Sequence, residues 1–236
     1  MKRQKILMTL AAFVCCALTI HAQLDARYCS TYAEFLDNHW TPVNDLIKNG
    51  TKRIMQLKES NHGYTAKTGD SKADAVLKKE ALVLEYSGHL YVNCRSLRHK
   101  TSSLSVSNYS QAYRYDLNKL LVVAYWVSGT GVALSLAADV AAFAAPNNLS
   151  VPALIGSELV WVGTQQLNNH RCYLLDSEAD EKGKTAVTMI DDEFMEALLA
   201  DDQDLLDRYK ATSRKNTRLS AANVLPVLME KGIIKE

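Results

Sequence analysis

The sequence predicts an α+β domain: antiparallel β-hairpins first, helices at the C-terminal end, and an inserted small-residue apolar helical hairpin at about 130–167. Three observations carry that expectation. Apolar, β-prone runs flank the dipeptide Ser87-Gly88. Acidic pairs at Asp191-Asp192 and Asp201-Asp202 each precede an apolar helical stripe. An alanine-rich stretch, Val132 to Ala145, is followed after a polar turn by a second apolar run, Val151 to Leu167.

The first residues read as a leader. Met1-Lys2-Arg3-Gln4-Lys5 is cationic, Ile6 to Ile20 is apolar and uncharged, and Ala22 supplies a small residue at the cleavage edge. This is the pattern of a secretory signal peptide over residues 1–22, leaving 23–236 as a single α+β domain. The apolar run of about 15 residues is short of the roughly 20 that a retained span needs. Cys15 and Cys16 raise a lipoprotein alternative, but bulky Phe13-Val14 stand where that processing wants small side chains. Cleavage at Ala22 leaves Cys29, Cys94 and Cys172, read either as one disulfide with a free thiol or as three buried thiols.

In the mature chain, Tyr32 to Leu36 predicts a short helix, ended by the Trp40-Thr41-Pro42 breaker. Lys52 to Leu57 alternates in part and reads as a strand, and the polar stretch from Asn61 to Ser71 reads as a loop. Ala81 to Tyr86 and His89 to Cys94 form a hairpin, with glycine supplying the positive φ of a two-residue turn. A second hairpin joins Gln111–Tyr115 to Leu120–Tyr125 through Asp116-Leu117-Asn118. A third joins His170–Leu175 to Thr185–Ile190 across the polar loop Asp176 to Lys184.

Helices follow. Asp191-Asp192 caps one carrying Phe194, Met195, Leu198 and Leu199, and Asp201-Asp202 caps another carrying Leu205, Leu206 and Tyr209. The last spans Ser220 to Lys231, has Pro226 inside and ends at Gly232.

The inserted segment departs from this pattern. Ala133, Ala137, Ala141 and Ala145 recur every fourth residue, which on a helix makes a smooth stripe open to close backbone approach. Ala145-Pro146-Asn147-Asn148 is a turn. Each apolar arm, at about 14 to 17 residues, is below the usual length of a span. Asp139 and Glu158 place a charge in each arm, and charge near a bilayer centre costs several kcal/mol. The segment is therefore expected to serve self-association or membrane contact. Asp139 and Glu158 are most simply two carboxylates facing water.

Searching for chemistry yields no assignable catalytic, cofactor-binding or metal-ligating residue. GxSxG, SxxK, HExxH and GxxxxGK[ST] patterns are all missing. Ser128-Gly129-Thr130-Gly131 lacks the lysine and further glycine of a phosphate loop and reads as a turn. Asp176, Glu178 and Asp180 alternate like calcium ligands, yet Gly183 comes late and Val187 holds the closing position. A small envelope hydrolase is the runner-up reading, with Cys94, His89 and His99 as its candidates. The Arg95, Arg98, His99, Lys100 cluster reads as a solvated strand end. A formal charge of +1 gives no reason to expect a nucleic acid partner, and 47% hydrophobic residues suit a folded domain.

Several stretches occur in a familiar order. Tyr28-Cys29-Ser30-Thr31-Tyr32-Ala33-Glu34-Phe35-Leu36 comes first, then Gly88 to Arg98, then Ala112-Tyr113-Arg114-Tyr115. Tyr173-Leu174-Leu175-Asp176, Gly183 and a helix with Leu198, Leu199 and Leu205 complete the set. Together they resemble a domain family of unknown function found in exported proteins of Bacteroidetes-type bacteria. The resemblance covers most of the mature chain and implies export and a shared architecture. It brings no catalytic residues. The inserted segment is richer in alanine than the glycine-rich counterpart expected of such relatives.

Overall fold

The computed structural model describes residues 26–47, 55–60, 62–100, 102–104, 108–126, 167–180, 183–212 and 214–235. The expected leader and nearly all of the expected apolar hairpin, with the alanine stripe, Asp139, Glu158 and the SGTG run, lie outside the described residues. What is described is a large, mostly antiparallel sheet with several helices, so the α+β expectation holds at that level.

The strands are β1 Arg27–Cys29, β2 Thr41–Pro42, β3 Gln56–Ser60, β4 Gly63–Lys67, β5 Val83–Tyr86, β6 His89–Asn93, β7 Leu97–His99, β8 Ser102–Ser103, β9 Tyr109–Asp116, β10 Lys119–Tyr125, β11 His170–Ala179 and β12 Thr185–Met189. The helices are α1 Tyr32–Leu36, α2 Ser71–Lys79, α3 Asp192–Leu198, α4 Gln203–Ala211, α5 Lys215–Arg218 and α6 Ala221–Glu230. The sheet order is β2-β1-β5-β6-β9-β10-β11-β12-β7-β8, and β4 joins β3 to β9.

All three expected hairpins form. Tyr86 pairs with His89 around Ser87 (φ 53°) and Gly88 (φ 81°), the double positive φ that suits the twist of flanking strands. Leu120 to Val122 pair with Arg114 to Ala112, and Tyr173 to Leu175 pair with Met189 to Val187. The third hairpin departs in one respect: β11 runs on to Ala179 through a register shift, so Asp176 and Glu178 lie on a strand and not in a loop. The stretch from Asn61 to Ser71 also departs from the loop expectation, because it holds β4 and the capped start of α2. Of the strand expected at Lys52–Leu57, residues 52–54 lie outside the described residues, and Gln56 and Leu57 open β3.

One connection turns the sheet into a ring. Strand β6 pairs with β9, and β7 pairs in parallel with β12 at the other end of the β9-β10-β11-β12 path. Only the short 3-10 turn Cys94–Ser96 separates β6 from β7. The path must therefore bend until its two ends meet, and β6 with β7 acts as one kinked strand belonging to both edges. Asn93 makes the kink. Its buried side chain donates to the Ala81 and Lys78 carbonyls (3.0 and 3.1 Å) and accepts from the Arg95 amide at 3.2 Å.

The period-2 alternation of the strands divides the apolar residues between the two sides of the ring. Inside lie Val92, Cys94, Leu97, Ala112, Leu120, Val122, Ala124, Tyr173, Leu175 and Val187. Tyr32 and Phe35 of α1 join this core from one mouth, and the Tyr32 hydroxyl donates to the Leu175 carbonyl at 2.9 Å, with the Asn118 carbonyl also in reach. A capping box between Thr31 and Glu34 lets so short a helix form.

Outside, Leu121, Val123, Cys172 and Leu174 pack under the C-terminal helices, against Met195, Leu199, Leu205, Tyr209, Val224 and Leu228. Leu84, Tyr91 and Tyr109 are covered instead by Leu77 of α2 and by Ala66 of β4. Both faces of the central strands are thus buried, which explains why Leu120 to Ala124 reads as one apolar run rather than an alternation.

Candidate functional site

Two places on this frame invite a functional reading: the end of the β10–β11 ladder, beyond which segment 127–166 lies, and a groove beside the first two hairpins. The first is built by β10 and β11. Their ladder ends with Tyr125 opposite His170, and the Trp126 amide donates to the Asn169 carbonyl at 2.8 Å. The described residues on either side of segment 127–166, Trp126 and Asn169, therefore lie side by side.

Aromatic and cationic groups surround that neck. The His62 ring lies 4.3 Å from Tyr125, and His170 packs edge-on to Tyr125 at 5.6 Å. The Arg171 guanidinium sits 4.7 Å over the Trp126 ring and donates to the carbonyls of His170 (3.1 Å) and Asn216 (2.9 Å). Burial lowers the proton affinity of Arg171, and these carbonyls compensate the loss of water. Leu167, just after the insert, packs against the C-terminal helices.

The groove, of roughly 950 Å³, runs beside the first two hairpins and is lined by His89, Gln111, Tyr113, Tyr115, Ile233 and Lys235 among others. Three of its charged side chains have partners. Glu85 binds Arg27 at 2.9 Å, Asp116 lies 3.8 Å from Lys119, and Arg114 stacks over Phe35 at 4.7 Å. Among the described residues that line it there is no serine, threonine or cysteine.

The hydrolase candidates are not brought together. Cys94 is wholly buried, with Sγ 3.1 Å from the Ser110 hydroxyl, and burial pushes its thiol up to about 12. His89 lies at the far end of β6, roughly 16 Å away along an extended strand. The His99 Nδ1 lies 3.1 Å from the Val187 carbonyl, with its ring edge-on to Tyr173. Cys29, Cys94 and Cys172 are all buried and free, which selects the three-thiol reading over a disulfide.

The remaining singled-out residues have structural roles. Arg98 pairs with Asp180 at 2.9 Å, and the Lys184 ammonium donates to the Arg95 carbonyl at 2.6 Å. The cationic cluster is therefore partly tied to the turn that was read as calcium-like. Asp191 and Asp202 cap α3 and α4. Asp192 accepts from Arg218 (2.7 and 2.8 Å) and from the Tyr209 hydroxyl (2.9 Å), which ties α3 to the end of α5. The Arg218 hydrogen bonds hold the Asp192 carboxyl below its ordinary range. Among the described residues, no three His, Cys, Asp or Glu side chains converge as a metal would require, and no helix is long and apolar enough to cross a membrane.

The profile of a family of unknown function, DUF6563, matches residues 27–232. The chain belongs to DUF6563. The match starts at β1 and ends just past α6, so this DUF6563 domain includes the ring, both outer layers and the insert between β10 and β11. Neither a curated protein nor a solved structure matches the chain. Sequence reasoning missed the neck: Tyr125 was read as the end of a strand, Trp126 was not singled out, and His62 was read as part of a loop. The usable signal was the coincidence of Tyr-Trp and His-Arg at the two borders of the apolar segment.

Proposed function

We propose that this DUF6563 protein is an exported envelope or secreted protein without an enzymatic role, which uses its apolar insert for self-association or membrane contact. The observation that carries the reading is the neck. The apolar sequence of 127–166 lies between two adjacent central strands, whose described ends are joined by the Tyr125–His170 pair and the Trp126–Asn169 bond. The leader supports export, since its cationic, apolar and small-residue regions follow the order that the secretion machinery reads.

Fractionation of the tagged protein tests both parts. The expected mature chain begins near residue 23 and is recovered either in the detergent-only pool or as a soluble assembly larger than one chain. Replacing 127–168 with Asn-Gly should leave a soluble monomer that still unfolds cooperatively in urea, because β10 and β11 then close as a two-residue hairpin. Retention in the cytoplasm with the leader uncut sinks the export half. A soluble monomer for the unaltered chain sinks the role of the insert.

A further inference from the structure

We infer that the groove beside the first two hairpins binds an extended, carboxylate-bearing peptide. The peptide adds as a short strand to the open edge of β9 and sets its acid on Arg114. The site is separate from segment 127–166 and owes nothing to export.

The first observation is a strand edge. β6 pairs with β9 from Asn93–Tyr109 to Leu90–Ala112, and Ser87-Gly88 then turns the chain back into β5. β9 runs on to Asp116 with β10 on its other side. Among the described strands none therefore flanks Arg114 to Asp116 on the side of β6. The Cys94 amide donates to the Asn108 carbonyl at 3.0 Å, so Asn108 turns its backbone groups towards β6. Strand alternation then points those of Ser110, Ala112 and Arg114 the same way. The unbroken run Gln111 to Leu117 lines the groove, and a peptide laid along it continues the line of β6, exchanging backbone bonds with Arg114.

The second is charge. The two carboxylates of the groove are engaged: Glu85 accepts from Arg27 at 3.1 and 2.9 Å, and Asp116 accepts from the Asn118 amide at 2.7 Å and lies 3.8 Å from Lys119. Its exposed cations are not so matched. Among the described residues neither Arg114 nor Lys235 has a carboxylate partner. The Arg114 guanidinium is held 4.7 Å over the Phe35 ring, which orients its planar fork and leaves the N–H donors for a carboxylate. The unmatched charge of the groove is positive and favours an acidic ligand.

The third is the alternation of side chains. Ala112 belongs to the inner core and Arg114 stacks on Phe35 of that core, whereas Tyr113, Tyr115 and Ile233 belong to the outer layer. A strand laid against β9 alternates in the same way. An acid opposite Arg114 therefore places its two neighbours beside Tyr113 and Tyr115, where apolar side chains fit. Leu117, 90% exposed, adds further apolar surface to the groove.

The test uses the purified full-length protein and a fluorescein-labelled peptide with blocked ends, Thr-Val-Glu-Val-Thr, followed by fluorescence anisotropy. Saturable binding is expected, with slower hydrogen exchange at the Arg114 amide in the complex. Arg114→Gln should weaken binding about tenfold, and Lys235→Gln about threefold, both with unchanged thermal melts because the two side chains are exposed. Methylating the glutamate nitrogen of the peptide, which faces β9, should abolish binding, whereas methylating the first valine nitrogen, which faces away, should not.

No binding of the acidic peptide in the millimolar range overturns the inference. Equal binding of Thr-Val-Lys-Val-Thr, or an unchanged affinity in Arg114→Gln, overturns the assignment of the acid to Arg114. Equal effects of the two methylations, or full displacement of the peptide by glutarate at matched concentration, overturn strand addition.

Discussion

Removing the side chain of Asn93 should weaken the whole domain, because this residue bends one strand from the first edge of the ring to the last. In Asn93→Ala the Ala81 and Lys78 carbonyls lose their donor and the Arg95 amide loses its acceptor. The Asn93 side chain is buried at 3% exposure, so water does not readily replace these partners. An unsatisfied buried group costs about 1 to 3 kcal/mol; with partial relaxation the three together cost about 3 kcal/mol. At a urea slope of about 2 kcal/mol per molar, the unfolding midpoint falls by about 1.5 M. Equilibrium unfolding of the protein, followed by far-UV circular dichroism, reads this directly. Asn93→Asp sharpens the test, since it keeps the acceptor for Arg95 but places a carboxylate against carbonyl oxygens. It should be less stable than the alanine variant at neutral pH and recover part of the loss on acidification, as the carboxyl gains a proton able to donate. A midpoint shift below about 0.3 M for the alanine variant, at unchanged slope, would refute the claim that Asn93 holds the kink.

Other outcomes follow from single contacts. Asp192→Asn should cost about 1 to 2 kcal/mol at neutral pH, since it weakens a half-buried bidentate pair with Arg218. The Asp192 carboxyl is held below its ordinary range, so the pair contributes fully above about pH 3.9 and is lost as pH falls through the lower folded value. The difference between variant and parent, measured by urea unfolding across pH, should therefore vanish in acid. Gly63→Ala would bring a Cβ within 2.4 Å of the Tyr109 carbonyl oxygen at φ +133°, whereas Gly88→Ala meets open space at φ +81°. Thermal melts should show the first losing more than 2 kcal/mol, roughly, and the second about 1 kcal/mol. Cys29, Cys94 and Cys172, each with its thiol pushed up to about 12, should resist a thiol-reactive disulfide in the native chain and react after denaturation. Rapid labelling of the native chain would contradict their burial.

The elements legible in the sequence were those specified by neighbours in the chain. Ser87-Gly88 between β-prone runs announces its hairpin, and Asp191 and Asp202 before apolar stripes announce α3 and α4. Helix α2 was missed because it buries only Ala73 and Leu77, too thin a stripe to register as a period. Its Asp70 cap was present in the sequence and went unused. Strand β4 opens on glycine and pairs along its length with the mostly exposed, polar β3, so neither arm shows an apolar alternation, and Tyr64 opposite Tyr109 joins the pair to the ring. The parallel seam of β7 with β12 has no local signature at all, because nothing near Leu97 specifies Thr185. The same reason hid the neck. Its residues are ordinary one by one, and only the pairing of Tyr125 with His170 brings them to a common level.

That seam also sets an order of events. Strand β7 cannot find its partner until β12 has been made and β9, β10 and β11 have assembled between them, so closing the ring is a late, long-range step in folding. It is also the thinnest joint. The seam pairs Leu97 with Thr185 and Ala186 with Arg98, whereas β10 and β11 pair from Leu120–Leu175 through Tyr125–His170. Partial opening should therefore begin between β7 and β12, splaying the ring like a clasp while the central ladder that anchors the insert stays closed. The anchor of the insert and the fastening of the ring are thus separate structures, and the domain can breathe at one without loosening its grip at the other.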